Sequence, residues 1–220
     1  MLIKKFTISI IIISISTMIF LSLYVKKTYI PIDNLKDANY SQLRISYDET
    51  NYSQFLYKKE MTYDLLKNNS DLVVEVECMD YGKQYAYSIL RKCKIKKVIH
   101  GQFNNKYLYV FEPSYFLPHN DISITNGYIN MKKNNNYFIF LKKVKTPKNT
   151  NKIYDNSYYP TSAMYGKYKS NCYAKIIDFN YDNEIYFDQI QNENIMLLDN
   201  KKIEQYNNIL EQINTITESK

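Results

Sequence analysis

One uninterrupted apolar run near the N-terminus restricts the fold of this chain more than any other feature. It begins at Phe6, ends at Val25 and reads FTISIIIISISTMIFLSLYV, twenty residues without a charge between two pairs of lysines. In helical geometry such a run extends about 30 Å, the thickness of the hydrocarbon core of a bilayer. We therefore predict that residues 1–27 form an N-terminal membrane anchor, with a signal-anchor helix over residues 6–25 that contacts the lipid bilayer.

A cleaved signal peptide is the alternative interpretation of the same run. Signal sequences carry about 7–15 apolar residues and end at small residues. This run is longer, and its end, Ser22-Leu23-Tyr24-Val25, offers no pair of small residues. We expect the anchor to stay uncleaved; cleavage would make the protein a secreted one.

The orientation of the anchor depends on its flanks. Lys4 and Lys5 precede the run and Lys26 and Lys27 follow it, so the positive-inside rule does not distinguish the two orientations. The five-residue leader most simply stays in the cytoplasm. We expect a single-pass protein of the cell membrane with its C-terminal domain outside the cytoplasm.

Composition and charge indicate one folded domain behind the anchor. The whole chain carries a formal net charge of +7, 24 Tyr, 4 Gly and no Trp. This mild positive surplus permits attraction to anionic lipids or wall polymers without requiring it. Residues 28–60 show no sustained period and many turn formers, and are predicted to be a juxtamembrane tether. Residues 61–220 are predicted to be the folded domain.

Period-two patterns predict that this domain is mainly β. Leu72, Val74 and Val76 share one face of a strand, and Glu75 and Glu77 share the other. Further strands are predicted over residues 85–99, 107–111, 137–141 and 172–177, with a sixth over 184–187. Residues 114–131 and the segment with Pro147, Pro160 and Gly166 are predicted to be long connections. Strands with such connections indicate a barrel.

Two helices are predicted to accompany the barrel. A short one covers residues 61–68, before the first strand. An amphipathic one covers residues 201–217, where apolar residues recur at three-and-four spacing: Ile203, Tyr206, Leu210, Ile213 and Ile216.

Four segments together resemble a known family. TYDLLKNNSDLVVEV (62–76) is similar to the helix-to-first-strand entry of netrin-like, TIMP-like OB-fold domains in uncharacterised Gram-positive surface proteins. CKIKKVIHGQF (93–103), NGYINMKKNNNYFIFLKK (126–143) and the closing helix fit the same pattern. The chain departs from it at His100 in place of Lys, at Asn130 in place of Pro, and at Asn134 or Asn135 in place of Gly.

The resemblance covers about residues 61–220. Together with the anchor predicted from the apolar run, it indicates a mainly β fold in which an N-terminal transmembrane helix is followed by a five- to six-stranded OB-like β-barrel, with a short leading helix and a C-terminal amphipathic helix. It implies no catalytic residues, because the proteins it points to have no known role.

Three cysteines leave at least one thiol unpaired. If the first hairpin folds about Gly82, Cys78 faces residue 86 and Cys93 faces residue 71, an offset of about 23 Å at strand rise. A disulfide needs Cα atoms within about 7 Å. Cys93 and Cys172 also alternate with apolar neighbours. We predict that all three are small core residues without a disulfide and without a catalytic role.

The inventory of reactive groups favours no enzyme class. The histidines are His100 and His119, and neither stands in a metal-binding spacing; G-x-S-x-G, S-x-x-K and glycine-rich phosphate loops are missing from the sequence. A pair formed by Cys172 and His119 stays open as the basis of an uncharacterised enzyme. We expect no catalytic activity, no metal and no cofactor.

A tyrosine- and lysine-rich segment before residue 172 is the candidate binding site. OB-type barrels hold extended polymers with aromatic side chains that stack and lysines that neutralise charge. The candidate ligand contacts are Tyr158, Tyr159, Tyr165, Lys167 and Tyr168, beside Lys169. The alternative is that this segment simply covers one end of the barrel.

Two functions from different classes therefore stay open, with an enzyme third. The first is a membrane-anchored extracytoplasmic binding or interaction module that contacts an envelope protein or an anionic wall polymer. The second is a surface binder of polyanions or single-stranded nucleic acid. Affinity for a polyanion falls steeply with salt, whereas a protein-directed contact is nearly indifferent to it.

Overall fold

The computed structural model describes residues 2–28, 35–49, 60–118, 120–145, 155–177, 179 and 184–218. The chain divides into two compact units, Met1–Ile32 and Asp33–Lys220. The first is a single helix, α1 (Leu2–Thr28), which includes the apolar run. Counted over the described residues, no helix is long and apolar enough to cross a membrane.

The second unit is mainly β, as predicted. Its helices are α2 (Tyr63–Asn68), α3 (Phe187–Ile190) and α4 (Asn200–Glu218). Its strands are β1 (Arg44–Asp48), β2 (Leu72–Cys78), β3 (Lys83–Tyr85), β4 (Ser88–His100), β5 (Tyr107–Glu112), β6 (Tyr115–Leu117), β7 (Asp121–Thr125), β8 (Asn136–Lys143), β9 (Ser157–Pro160) and β10 (Lys167–Tyr168).

Five of these strands close into a barrel. The order around it is β2–β4–β5–β9–β8 and back to β2. The pairing of β5 with β9 is parallel, and the other four pairings are antiparallel. The predicted barrel is confirmed, with β2 in the predicted place.

The two faces of β2 contact different apolar cores. Leu72, Val74 and Val76 point into the barrel, where they meet side chains such as Leu108 and Ile139. Each fully buried aliphatic side chain contributes roughly 1.5–3 kcal/mol relative to an exposed one. The barrel interior is therefore one of two large apolar sources of stability for this unit.

The second core lies outside the barrel wall, under the C-terminal helix. Tyr206, Leu210 and Ile213 of α4 are buried against Phe138 and Phe140 of β8. The predicted amphipathic helix is confirmed, and the leading helix α2 packs into the same core. The hydroxyl of Thr62 caps α2 by accepting a hydrogen bond from the backbone N–H of Leu65 at 3.2 Å.

A three-stranded sheet with the order β1–β7–β6 corrects two predictions. The predicted tether over residues 28–60 contains β1, which pairs in parallel with β7, and its neighbour Leu43 is fully buried. The predicted connection 114–131 contains β6 and β7. The sequence did not predict these strands because they are short and because β1 pairs with a strand that lies far along the chain. Residues 29–34 and 50–59 of the tether lie outside the described residues.

One side chain completes the free edge of this sheet. The backbone N–H of Phe116 in β6 donates to Oε1 of Gln84 at 2.6 Å, and Nε2 of Gln84 donates to the carbonyl of Phe116 at 3.1 Å. The carboxamide of Gln84 thus makes the two hydrogen bonds that a neighbouring strand would make.

The last two predicted strands are wrong. Within residues 172–177, Ile176 makes one isolated bridge to Leu197, and within 184–187 Tyr186 makes one to Arg44 before α3 begins. The strand that closes the barrel is β9 instead. It lies in a predicted connection, because Pro160 at its end argued against a strand.

The predicted cysteine register is also wrong. The hairpin turns at Ala86 and Tyr87, since Tyr85 pairs with Ser88, and Cys78 lies directly opposite Cys93. Gly82 lies outside this turn, but its position still favours glycine: φ is +75°, and an added Cβ would lie 2.5 Å from Cγ2 of Ile89 and 2.8 Å from Cδ of Arg91.

All three thiols are free. Cys78 and Cys93 are fully buried, as predicted. Cys172 is partly exposed, which corrects its assignment to the core, because the segment around it is not a strand.

Candidate functional site

The predicted ligand contacts separate into one exposed and four buried side chains. Tyr159 is 43% exposed, whereas the others are buried: Tyr158, Tyr165, Lys167 and Tyr168. The ring of Tyr168 stacks on that of Tyr206, with centroids 4.4 Å apart. Tyr158 belongs to the barrel core, and Tyr165 and Tyr168 belong to the core under α4. Of the five candidate contacts, Tyr159 alone is exposed to solvent.

Lys167 is buried against aromatic rings and backbone carbonyls. Its ammonium donates to the carbonyls of Ile129 and Asn194 and lies 4.7 Å from the centroid of Tyr128. Burial lowers the pKa of Lys167 to about 8. The group therefore has a structural environment without access to an external polymer.

An ion pair that the sequence did not reveal lies inside the barrel. Nε of Arg91 donates to Oε2 of Glu112 at 2.6 Å, and both side chains are at most 1% exposed. The other guanidinium nitrogens donate to the carbonyls of Asp80 and Met131. Burial is the largest single influence on the pKa of Arg91 and lowers it, but the charge of Glu112, the hydrogen bond to Glu112 and the charge of Asp80 are among the causes that together raise that pKa.

The presence of arginine at position 91, in a chain rich in lysine, was a sequence signal for this ion pair. Arg44 and Arg91 are the two arginines among 29 basic residues, and both bind carboxylates. Lysine rarely replaces arginine where a planar fork of donors is needed. An isolated arginine in a lysine-rich chain thus marks a directed ion pair.

A groove lies where the barrel meets the three-stranded sheet. We call it the tyrosine groove; its volume is about 420 Å³. Strands and loops of both sheets line it: Asp48, Tyr87, Ser88, Phe111, Pro113, Tyr115, Thr125, Asn126, Tyr159, Pro160, Thr161, Ser162, Ala163 and Met164. Among these lining residues, Asp48 is the only charged one.

Aromatic side chains form the rim of the tyrosine groove. Tyr87 is 77% exposed at the tip of the hairpin, and Tyr159 is exposed on β9. The ring of Tyr115 meets that of Tyr87 edge-on, with centroids 5.3 Å apart. Exposed tyrosines around an apolar floor offer large contact areas with few rotatable bonds, which is typical of interaction surfaces.

A second surface alternates lysine and tyrosine on the outer face of β4 and β5. We call it the lysine–tyrosine strip; in it Lys92 pairs with Tyr109 and Lys94 with Tyr107. The ammonium of Lys92 lies 4.5 Å from the centroid of Tyr107. A depression of about 340 Å³ adjoins it, bordered by Lys83 of the hairpin. The neighbouring strand β2 offsets part of this charge, since Glu77 pairs with Lys96 at 3.1 Å.

The described residues contain no group of three or more His, Cys, Asp or Glu side chains able to hold a metal ion. His119 lies outside the described residues, so its pairing with Cys172 stays a hypothesis. No protein family, curated protein or solved structure matches this chain.

Proposed function

We propose that this protein is a non-catalytic, membrane-anchored binding module whose folded unit lies outside the cytoplasm. The apolar run supports the anchor: over residues 10–24 the side chains of α1 are exposed, including Ile13, Met18 and Phe20. A helix that is apolar all round needs a non-aqueous environment. A bilayer supplies it, and we propose that residues 6–25 span one.

We propose further that the barrel is of the OB type, as the netrin-like and TIMP-like resemblance implies. Counted in chain order, its strands are arranged first, second, third, fifth, fourth, with a parallel contact between third and fifth. This order supports the proposal, because OB-type barrels are five-stranded Greek keys. Such barrels bind through loops and one face, and both candidate surfaces lie in those places.

The tyrosine groove carries the proposed function. Its rim of exposed tyrosines gives a contact surface, and Asp48 as the charged lining residue disfavours an anionic ligand. We therefore propose that the partner is an envelope protein, held by an extended segment with neutral or basic side chains. An anionic wall polymer suits this groove poorly.

Site-specific photo-crosslinking in intact cells tests this proposal. The full chain carries a benzophenone amino acid in place of Tyr87 or Tyr159, and in place of Tyr173 as the control, since Tyr173 is exposed but does not line the groove. We expect one discrete protein adduct at positions 87 and 159 that persists between about 50 and 200 mM salt. Adducts of equal yield at position 173, or none at the groove, would contradict the proposal.

The lysine–tyrosine strip favours the second candidate, a binder of polyanions or single-stranded nucleic acid. Lysines interleaved with aromatic rings track a phosphate backbone and stack on bases. If three lysines contact phosphates, affinity for an oligothymidylate should fall roughly 20-fold between 50 and 200 mM salt. Replacing Lys92 and Lys94 by Gln should abolish that binding, and Lys201→Gln on α4 should not.

A further inference from the structure

The two buried cysteines of the barrel are placed as a disulfide pair. Cys78 in β2 and Cys93 in β4 are directly opposite in an antiparallel ladder. Opposite residues in such ladders have Cα atoms about 4.5–5.5 Å apart, inside the range of about 4.4–6.8 Å that disulfides occupy. Both side chains point into the barrel core and are fully buried. Their place in the ladder therefore meets the Cα distance that a disulfide requires.

The two thiols already interact. Their mutual interaction lowers the pKa of Cys78 and, together with burial, raises the pKa of Cys93. The Cys78 thiol also lies 3.4 Å from the carbonyl oxygen of Asp80, to which it donates.

We propose that Cys78 and Cys93 form a cross-strand disulfide when the chain folds in the presence of a disulfide oxidant such as glutathione disulfide. In the open hairpin, the thiolate of one cysteine attacks one sulfur of the oxidant and displaces a thiolate. The other cysteine then loses its proton and attacks the sulfur of the first cysteine, which releases the second thiolate. Two cysteine thiols are oxidised, the oxidant is reduced to two thiols, and the two protons end on those thiols.

The disulfide would link the two strands at the base of the hairpin, whose residues contribute to both candidate surfaces. Residues 79–92 connect the two cysteines, and Tyr87 of this hairpin lines the tyrosine groove. Lys83 and Tyr85 of the same hairpin border the depression beside the lysine–tyrosine strip. Cys172 is partly exposed in another segment and remains the odd thiol. The inference does not depend on which surface binds a partner.

Burial determines when the bridge forms. Because neither sulfur is accessible in the folded state, oxidation requires an open hairpin and proceeds during folding rather than after it. The folded, reduced protein should therefore resist glutathione disulfide, whereas the same protein refolded with that oxidant should be bridged.

Peptide mapping of the full chain in detergent tests the proposal. One sample is refolded with glutathione disulfide and one with reduced glutathione, and each is alkylated in denaturant and digested without reductant. We expect the oxidised sample to show the Cys78 and Cys93 peptides joined and Cys172 alkylated. Three alkylated cysteines after oxidative refolding, or a bridge that includes Cys172, would overturn the proposal.

Thermal unfolding gives a second readout on the unaltered sequence. Cross-linking a loop of this length should raise the Tm of the oxidised sample over the reduced one by about 6–12 °C. The Cys172→Ala variant should keep both the joined peptides and the Tm difference, and Cys78→Ala should lose both. Equal Tm values for oxidised and reduced wild-type protein would count against a cross-link between β2 and β4.

Discussion

Arg91 and Glu112 meet inside the barrel, with Nε of the arginine 2.6 Å from Oε2 of the glutamate and both side chains out of contact with water. The second carboxylate oxygen accepts the backbone N–H of Met131 at 2.7 Å. One ion pair thus joins β4, β5 and the segment that precedes β8. Its removal is the most informative test of how the barrel is held together.

Replacing Arg91 by Met should destabilise the protein by about 3–5 kcal/mol, because the charge of Glu112 would remain buried without a partner. The double variant with Glu112→Leu should recover much of that loss. Denaturant unfolding measures both. The control is Arg44→Gln: Arg44 and Asp121 form a partly exposed pair at 2.8 Å, and its loss should cost about 1 kcal/mol or less. Equal losses at Arg91 and Arg44 would contradict this account.

The docking of α4 predicts a sharp difference between two neighbouring residues. Leu210 is fully buried and Glu211 is exposed. Leu210→Asp should cost several kcal/mol, because it buries a charge without a partner. Glu211→Lys should change stability by less than about 0.5 kcal/mol. A Tm of the Leu210→Asp variant equal to that of the wild type would refute the docking.

Lys167 should make stability depend on pH above neutrality. Its folded-state pKa of about 8 lies below the value of an unfolded chain, about 10.4. Below pH 8 both states hold the proton, and burial of the charge is a constant cost. Between pH 8 and 10 the unfolded state binds more protons, so the free energy of unfolding rises with pH, by about 2–3 kcal/mol at most.

The Lys167→Met variant isolates this contribution, since it lacks the titrating group but keeps the length of the side chain. The difference in the free energy of unfolding between the wild type and the variant, measured by denaturant unfolding, should change by about 2–3 kcal/mol between pH 8 and 10. The comparison with the variant is needed because burial also raises the pKa of Cys93, Tyr128 and Tyr168, and the loss of their protons in the unfolded state lowers the free energy of unfolding of both proteins over this range. Parallel curves for both proteins would contradict the lowered pKa of Lys167.

The proposed anchor predicts membrane retention. Full-length protein should stay with the membrane fraction after an alkaline wash, because a helix of twenty uncharged, mostly apolar residues matches the thickness of the hydrocarbon core. A chain that begins at residue 28 should appear in the soluble fraction. Mass spectrometry that finds a mature N-terminus between residues 20 and 30 would show cleavage instead.

The periodic spacing of apolar residues predicted those elements whose buried face is visible within a few residues of sequence. The alternation of Leu72, Val74 and Val76 set the bounds of β2, and the spacing of Tyr206 and Leu210 located α4. These elements carry their own apolar faces, so periodicity is enough to find them.

Elements that depend on distant partners were not predictable in the same way. β1 pairs with β7 across a long stretch of sequence, and β9 closes the barrel although it ends in Pro160. The offset between Cys78 and Cys93 failed because Gly82 resembled a turn centre while the turn lies at Ala86. The prediction that the tyrosine- and lysine-rich segment binds a ligand was incorrect for most of its residues. Composition alone cannot distinguish an exposed tyrosine such as Tyr159 from a buried one such as Tyr168.

The carboxamide of Gln84 has a consequence for how copies of this protein behave at high concentration. β6 is the last strand of its sheet, and the edges of sheets are templates on which other chains add and aggregate. Because Gln84 already satisfies both the N–H and the carbonyl of Phe116, an incoming strand would have to displace it before pairing there. The side chain of Gln84 thus disfavours the addition of a strand from another molecule at this edge.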